Sequence, residues 1–273
     1  MVNTVGFIGA GQLGEPMVMR LLGAGHHVLV YSRRDEVRER LRDSGATLAG
    51  SVAELASQSD ILISCLFSDV QLRETGLGTE GFIANAKPGS VFLSHTTGTV
   101  STLEALRDSS PRAPVILDAP VSGTAENIAA GTLTVLVGGP TAAVERVAPV
   151  LAAYADPVVS TGELGSALAI KLINNLLFAG NAQLLAAATQ LGNKLGIDQM
   201  ALLSALQVCS GRSGAASHAH RIGGIDRFTE MAGPFLRKDV AACREAATKA
   251  GVDLGLLGNV VHEGPLTLED GAD

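Results

Sequence analysis

Three glycines, Gly9, Gly11 and Gly14, follow the apolar run Val5–Ile8, and the third lies within the amphipathic stretch Gln12–Leu22. In a Gly-x-Gly-x-x-Gly segment the first glycine permits a tight turn, and the second lets a pyrophosphate approach the backbone. The third lets the following helix pack on the strand, and the free N–H groups at the start of that helix attract the same anion. A strand, this turn and a helix in succession therefore predict a dinucleotide site. Its residues are Gly9, Ala10, Gly11, Gln12, Leu13 and Gly14.

The second β-rich run, His27–Tyr31, is followed by Ser32, Arg33 and Arg34. An acid at this place would bond the ribose 2′-hydroxyl of NAD. A hydroxyl and two guanidinium groups suit the 2′-phosphate of NADP instead, because charge-assisted hydrogen bonds can clamp it. The sequence therefore favours NADP. NAD stays possible, since Asp35 could serve as the ribose acid, and the alternative is a solvated helix start in which the arginines pair with the acids that follow.

The segment Asp118–Gly123 also follows a short β-rich run. It places the hydroxyl of Ser122 and the flexible backbone of Gly123 where a strand ends, and open α/β sheets bind ligands at that edge.

A further polar group lies within the long apolar segment Ser166–Lys194. Helical spacings of three and four place Lys171, Asn174 and Asn175 on neighbouring parts of one face. Isolated polar groups are costly to bury, so these side chains need partners.

The elements that must position these residues are strands alternating with helices, followed by helices alone. The β-rich runs are Val5–Ile8, His27–Tyr31, Ile61–Cys65, Ser90–Leu93, Val115–Leu117, Thr134–Val137 and Val158–Val159. This alternation predicts an α/β fold with a doubly wound, mainly parallel Rossmann sheet over residues 1–162. Residues 163–273 are predicted to be an all-helical domain that begins with a long inter-domain helix. Its helices are Ser166–Lys194, Gln199–Val208, Phe235–Ala250 and one near Leu254–Val261.

Composition limits the class of protein. The 273 residues are 47% hydrophobic and carry a net charge of −7, so a large core is expected and a general nucleic-acid binder is not. Three scattered cysteines are typical of buried thiols in a reducing compartment, not of disulfides or a zinc site. No metal is expected at His218 and His220, which are read as a solvent-facing segment.

Membrane insertion and secretion are not expected either. The apolar segment Leu172–Leu191 contains several Asn and Gln side chains, which favours a buried helix of a soluble protein over a membrane span. The N-terminus leads directly into a strand-like run without the pattern of a secretory signal, so a cytoplasmic location is expected.

Four motifs together resemble the β-hydroxyacid dehydrogenases. They are Gly6–Met17, Asp118–Gly123, Lys171–Asn175 and Lys238–Asp239, in the family's order and at family-like spacing, over nearly the whole chain. The family includes 3-hydroxyisobutyrate dehydrogenases and the tartronate semialdehyde and succinic semialdehyde reductases. The resemblance implies hydride transfer between a nicotinamide cofactor and a small carboxylated aldehyde or hydroxyacid.

The resemblance also implies roles for individual residues. Lys171 would protonate the carbonyl oxygen as hydride arrives, or accept the proton in the oxidative direction. Asn175 would orient the substrate, and Ser122 and Gly123 would hold its carboxylate. Further cofactor contacts would come from Leu66, Phe67, Thr96 and Lys238. The long helix and those after it would form the subunit interface of a homodimer or homotetramer.

Departures from the family's pattern leave the substrate open. Thr124 and Gly214 are expected to reshape the pocket, and His95 to add a polar contact near the nicotinamide. Two other functions stay open: an imine reductase of the same architecture, and a non-catalytic NADP-binding module. The presence of Lys171 disfavours both, since such proteins more often resemble an Asp or Tyr pattern or lose the Lys.

Overall fold

The structure is a computed structural model that describes residues 3–268. The chain divides into two compact units, with the boundary between Lys171 and Leu172. The first unit is α/β and the second is helical, so the predicted fold class is confirmed.

The first unit alternates strands and helices. Its strands are β1 (Thr4–Ile8), β2 (His27–Tyr31), β3 (Thr47–Leu48), β4 (Ile61–Ser64), β5 (Val91–Ser94), β6 (Val115–Asp118), β7 (Val121–Ser122), β8 (Leu133–Gly138) and β9 (Ala155–Gly162). Its helices are α1 (Gly14–Gly23), α2 (Asp35–Asp43), α3 (Val52–Gln58), α4 (Asp69–Gly76), α5 (Phe82–Asn85), α6 (Val100–Asp108), α7 (Ala125–Ala130) and α8 (Thr141–Leu151).

One sheet of the order β3-β2-β1-β4-β5-β6-β8-β7 runs through this unit, and β9 pairs with β8. The strands from β3 to β6 are parallel, whereas β8 runs antiparallel to both β6 and β7. The order reverses between β1 and β4, which is the switch point where doubly wound sheets bind their ligands.

Successive side chains of the central strands are buried on opposite faces. On one face Phe7, Ile63 and Leu93 pack with α1, α2 and α8. On the other, Leu62 and Phe92 pack with α3, α5 and α6. Near-continuous apolar runs are typical of parallel strands that helices cover on both sides.

The second unit begins within α9 (Ser166–Lys194), whose first residues belong to the first unit. The helices that follow are α10 (Gln199–Leu206), α11 (Gly214–Ile222), α12 (Ile225–Ala250) and α13 (Gly255–Glu263). Gln183 on α9 is buried, and its amide donates to the carbonyl oxygens of Val261 and Leu266 and accepts from Leu266 N–H. These bonds fasten the segment after α13 to α9.

The surface of α9 carries exposed apolar side chains at helical spacing: Ile170, Ile173, Leu177, Leu184 and Leu191. By length and composition this helix is also apolar enough to cross a membrane, with 44% of its most apolar window buried in the protein. The core helix of a soluble protein meets the same criterion.

The predicted and observed elements differ at particular places. Helix α12 begins at Ile225 instead of Phe235 and runs through Pro234, because Phe228 and Leu236, on both sides of the proline, are buried in one core. The short strands β3 and β7 and the short helices α3 to α7 were not predicted. The boundary between the compact units falls after Lys171, later in the chain than the predicted residue 162. The first turns of α9 belong to the first unit, where Leu168 is buried with the sheet.

Candidate active site

The Gly9–Gly14 turn has the geometry that a pyrophosphate requires. Gly9 has φ of +93°, and a Cβ there would meet the carbonyl oxygen of Cys65. A Cβ at Gly14 would meet the carbonyl oxygen of Gly9, whereas the space beside Gly11 is open. The glycines at the two ends thus allow close backbone packing, and the middle one leaves room for a ligand at the N-terminus of α1.

The residues after β2 lie beside this turn. The Ser32 side chain is buried, and its Oγ accepts from the backbone N–H of Arg34 at 3.4 Å. The guanidinium Nη2 of Arg34 donates to the carbonyl oxygen of Ala10 at 3.1 Å. Arg33 and Arg34 are both exposed, so two cations are available at the edge of the nucleotide turn.

The carboxyl ends of β4 and β5 bring further predicted cofactor contacts to the same edge. Leu66 is half-buried and Phe67 is 70% exposed in the loop after β4. Thr96, after β5, is buried, and its Oγ1 has no hydrogen-bond partner among the described residues. A buried hydroxyl without a partner is costly, and a polar cofactor group would satisfy it. The residues present therefore fit a dinucleotide.

His95, directly before Thr96, is buried among protein groups. Its Nδ1 lies 2.5 Å from the carbonyl oxygen of Ala119, and its Nε2 lies 2.9 Å from the hydroxyl oxygen of Tyr154. Burial lowers the pKa of His95 to about 4 and raises that of Tyr154 well above its ordinary value. Both ring nitrogens of His95 thus have protein partners, and its expected contact with the nicotinamide stays a prediction.

The start of α9 is attached to the end of β6 by a buried carboxylate. Asp118 Oδ1 accepts from Gly165 N–H and Oδ2 from Leu168 N–H, both at 2.8 Å. These N–H groups belong to the helix start, which has no other backbone acceptors for them. Lys171 follows Leu168 by one turn and is half-buried. Asp118 therefore fixes the helix turn that carries Lys171.

The predicted anion-binding residues lie at the end of β7 and in the turn before α7. Ser122 and Gly123 are exposed there, and Gly123 has φ of +142°, a conformation that favours glycine. The side chains of Thr124 and Asn127 form a capping box at the start of α7. This cap holds the turn while leaving the Ser122 hydroxyl at the surface.

The remaining predicted site residues belong to the second unit. Asn175 is buried on α9, where its Oδ1 accepts from the Asn174 amide at 3.2 Å. Lys238 is exposed on α12. The predicted site residues of the first unit, among them Gly9, Thr96 and Ser122, thus follow the ends of its strands. Lys171 lies at the start of α9, and Asn175 and Lys238 belong to the second unit.

Two of the interpretations of polar residues were wrong. Cys209 is exposed, whereas Cys243 is buried and Cys65 half-buried. The His218–His220 pair is not a solvent-facing segment but part of α11, where both side chains are half-buried. The ring of His218 contacts Phe228 edge-on, and burial lowers its pKa.

Sequence reasoning missed Tyr154 and the capping role of Asp118. Tyr154 lies 59 residues from His95, and no local pattern connects them. Asp118 accepts from N–H groups 47 and 50 residues away, so a local N-cap pattern does not connect them.

Comparisons with known proteins cover both units. A family model described as the NAD binding domain of 6-phosphogluconate dehydrogenase matches residues 4–165. A second, described as the NAD-binding of NADP-dependent 3-hydroxyisobutyrate dehydrogenase, matches residues 165–264. The mitochondrial 3-hydroxyisobutyrate dehydrogenase of Homo sapiens is 28% identical over 268 residues, which are 95% of this chain and 80% of the human one.

Solved structures agree with these matches. The Mycobacterium tuberculosis 3-hydroxyisobutyrate dehydrogenase with L-serine superposes with a TM-score of 0.83 and 26% identity, covering 96% of this chain and 92% of that one. An imine reductase from Pseudomonas sp. has a TM-score of 0.59 and 16% identity, covering 96% and 92% of the two chains. The second likeness shows the fold alone.

Proposed function

Because the chain belongs to the β-hydroxyacid dehydrogenase family, as a nicotinamide-dependent oxidoreductase related to 3-hydroxyisobutyrate dehydrogenases, we propose that it interconverts a short-chain semialdehyde acid and its hydroxyacid. The observation that carries this proposal is the position of Lys171. The side chain follows, by one turn, a helix start that the Asp118 carboxylate holds at the carboxyl edge of the sheet. An ammonium group is thereby offered at the edge where such sheets bind ligands.

The side chains divide the chemistry between proton transfer and substrate binding. The cofactor, when bound, supplies or accepts the hydride. In reduction the Lys171 ammonium stabilises the negative charge that develops on the carbonyl oxygen and donates its proton to that oxygen. In oxidation the neutral amine accepts the hydroxyl proton. The Ser122 hydroxyl and the Gly123 N–H bind the substrate carboxylate, and the Asn175 amide orients the substrate.

NADP is the proposed preferred cofactor. The buried Ser32 and the exposed Arg33 and Arg34 supply a hydroxyl and two guanidinium groups beside the nucleotide turn. The bond from Arg34 to Ala10 holds one of these guanidinium groups against the turn. A 2′-phosphate there would gain charge-assisted hydrogen bonds that a ribose hydroxyl cannot match.

A homodimer or homotetramer is proposed as the assembled state. The exposed apolar side chains of α9 include Ile173, Leu184 and Leu191, whose helical spacing puts them on one face of the helix, and exposed apolar surface of this kind marks interaction sites. A second copy of the chain would cover it. Leu184→Glu should then lower the oligomeric mass measured by light scattering, whereas Val252→Glu, an exposed apolar position outside α9, should leave it unchanged.

The first experiment is to measure NADPH and NADH consumption by the purified protein across semialdehyde acids, simple aldehydes and cyclic imines. Turnover confined to carboxylated aldehydes is expected, and NADPH is expected to be the better donor. Turnover of imines alone would move the protein to the imine reductases. Tight NADPH binding without turnover across a broad panel of carboxylated aldehydes would favour the non-catalytic binding module.

A further inference from the structure

The imidazole of His95 occupies the place where the β5–β6 pairing would otherwise continue. The last regular bond between these strands runs from Ala119 N–H to the carbonyl oxygen of Ser94, at 2.8 Å. In a parallel ladder the next bond would run from Thr96 N–H to the Ala119 carbonyl oxygen. That oxygen instead lies 2.5 Å from His95 Nδ1. The strands are therefore joined by a side chain at the point where they separate.

Tyr154 fixes the orientation of this imidazole. The Ala119 oxygen can only accept, so Nδ1 carries the proton and Nε2 accepts from the Tyr154 hydroxyl at 2.9 Å. The two rings meet edge to face with centroids 5.9 Å apart. Both side chains are buried, at 4% and 0% exposure, so water does not compete for these bonds. Every ring nitrogen is satisfied, and one tautomer is selected.

The segments that His95 joins carry different parts of the proposed site. Thr96, whose buried hydroxyl has no partner within residues 3–268, follows His95 directly on the cofactor side. Ser122 and Gly123 follow Ala119 after one proline and one valine on the substrate side. Asp118 holds the same strand end from the other face of the sheet. A shift of Ala119 would therefore move the carboxylate-binding turn relative to the cofactor.

We propose that His95 is a positioning residue that sets the distance between the cofactor-side loop at Thr96 and the carboxylate-binding turn at Ser122–Gly123, with Tyr154 locking its ring. The expected change in KM and kcat rests on the proposed function. The expected shift of the Ser122–Gly123 turn does not. Both ring nitrogens of His95 are hydrogen-bonded to protein atoms. Its effect on turnover passes through the Ala119 carbonyl.

Three variants separate the two hydrogen bonds. His95→Ala removes both, Tyr154→Phe removes only the hydroxyl, and His95→Asn keeps an N–H that can donate to the Ala119 oxygen. His95→Ala should raise the KM of the carboxylated aldehyde about tenfold and lower kcat, while the Kd of NADPH changes less than about threefold. His95→Asn should recover most of this loss. The KM of Tyr154→Phe should lie below that of His95→Ala and above that of the wild-type protein.

A matched core variant controls for loss of stability. Phe82→Leu truncates a fully buried ring that stacks on Phe92 at 4.4 Å, away from this edge, and should leave the substrate KM unchanged. Equal KM changes in Phe82→Leu and His95→Ala would overturn the positioning role. Wild-type KM and kcat in a folded His95→Ala would also overturn it.

Nuclear magnetic resonance tests the proposal without turnover. In ¹⁵N-labelled protein the His95 ring should show a protonated Nδ1 and an unprotonated Nε2, and Tyr154→Phe should weaken this preference. The amide signals of Ser122 and Gly123 should shift in His95→Ala and return toward the wild-type positions in His95→Asn. The opposite tautomer, or unmoved amide signals, would overturn the proposal. If these signals behave as expected but no carboxylated aldehyde is turned over, the proposed function fails and the positioning role stands.

Discussion

The carboxyl edge of the sheet has two ends that are built differently. At the adenosine end, after β1 and β2, the polar groups are an open glycine turn and two exposed cations, Arg33 and Arg34. At the reaction end, after β5 and β6, the side chains of His95 and Asp118 are buried, and each is hydrogen-bonded to groups of other segments. One sheet thus has a solvated binding surface at one end and buried, hydrogen-bonded side chains at the other.

This difference predicts how each end responds to substitution. Arg33 and Arg34 are exposed, and surface charges contribute little to the free energy of unfolding, so the effects of removing them on that quantity should nearly add. Buried groups that share hydrogen bonds should not behave additively, because the loss of one leaves its partner unsatisfied. A double-mutant cycle on the free energy of unfolding should accordingly show coupling for His95 with Tyr154 and little for Arg33 with Arg34.

The largest expected effect belongs to the reaction end. Lys171→Ala should lower kcat by about 10³-fold, because general acid catalysis is lost, while NADPH still binds. Steady-state kinetics and fluorescence titration of NADPH check the two parts. Lys194→Ala, at the other end of α9, is the control and should leave both unchanged. Near-normal turnover by Lys171→Ala would remove the catalytic role.

The next effect is a pH dependence of stability caused by His95. Burial lowers its pKa in the folded state to about 4, from an ordinary value of 6.5. Between these values the unfolded chain binds a proton that the folded chain does not, so stability falls as pH falls from 6.5 to 4. The loss attributable to this group is at most about 3 kcal/mol.

Urea unfolding at several pH values measures this dependence. Carboxylates also contribute below pH 6, so the informative quantity is the difference between the wild-type protein and His95→Asn, which should lose the histidine contribution. His27→Asn, at an exposed position, should retain the wild-type dependence. Parallel curves for the wild-type protein and His95→Asn would contradict the assignment.

A smaller effect is expected at the adenosine end. Arg33→Asp should raise the Kd of NADPH about 30-fold, which corresponds to the loss of one charge-assisted contact, and that of NADH less than about threefold. Arg42→Asp makes the same charge change at an exposed position later on α2 and is the control. Equal losses for both cofactors would show that the arginine does not recognise the 2′-phosphate.

The smallest expected effect comes from Glu15, whose carboxylate accepts from the Arg40 guanidinium at 2.8 and 2.9 Å. This contact holds the pKa of Glu15 below its ordinary value, and Arg34 contributes. Glu15→Gln removes a negative charge near the proposed phosphate position, so NADPH should bind slightly tighter, by less than about threefold. The gain should vanish at high salt, whereas a weakened affinity would indicate that the carboxylate orders the arginines.

Local patterns predicted the parts of the molecule that local forces determine. Strand β2 has the predicted bounds, His27–Tyr31, and α9 has the predicted Ser166–Lys194, because hydrophobic runs and turn residues delimit both. The Gly9–Gly14 turn was placed correctly for the same reason. The spacing of its glycines is what the tight turn and the close backbone packing require.

Contacts between distant segments could not be predicted in this way. The partners of His95 lie 24 and 59 residues away, and only the folded sheet brings them together. The proline at position 234 is a strong local signal for a helix start, yet α12 passes through it, because the buried Phe228 and Leu236 stabilise a continuous helix. In both cases tertiary packing outweighs the local signal.

The Asp118 cap limits where a crossover can be placed when the gene is recombined with that of a relative. A crossover at Gly162, where the glycine suggests a natural joint, would separate the carboxylate from the N–H groups of Gly165 and Leu168 that it binds. A buried charge would then depend on a foreign helix start for its partners. Viable chimaeras should therefore carry their crossover within α9, beyond Lys171, so that the sheet and the first turns of this helix are inherited together.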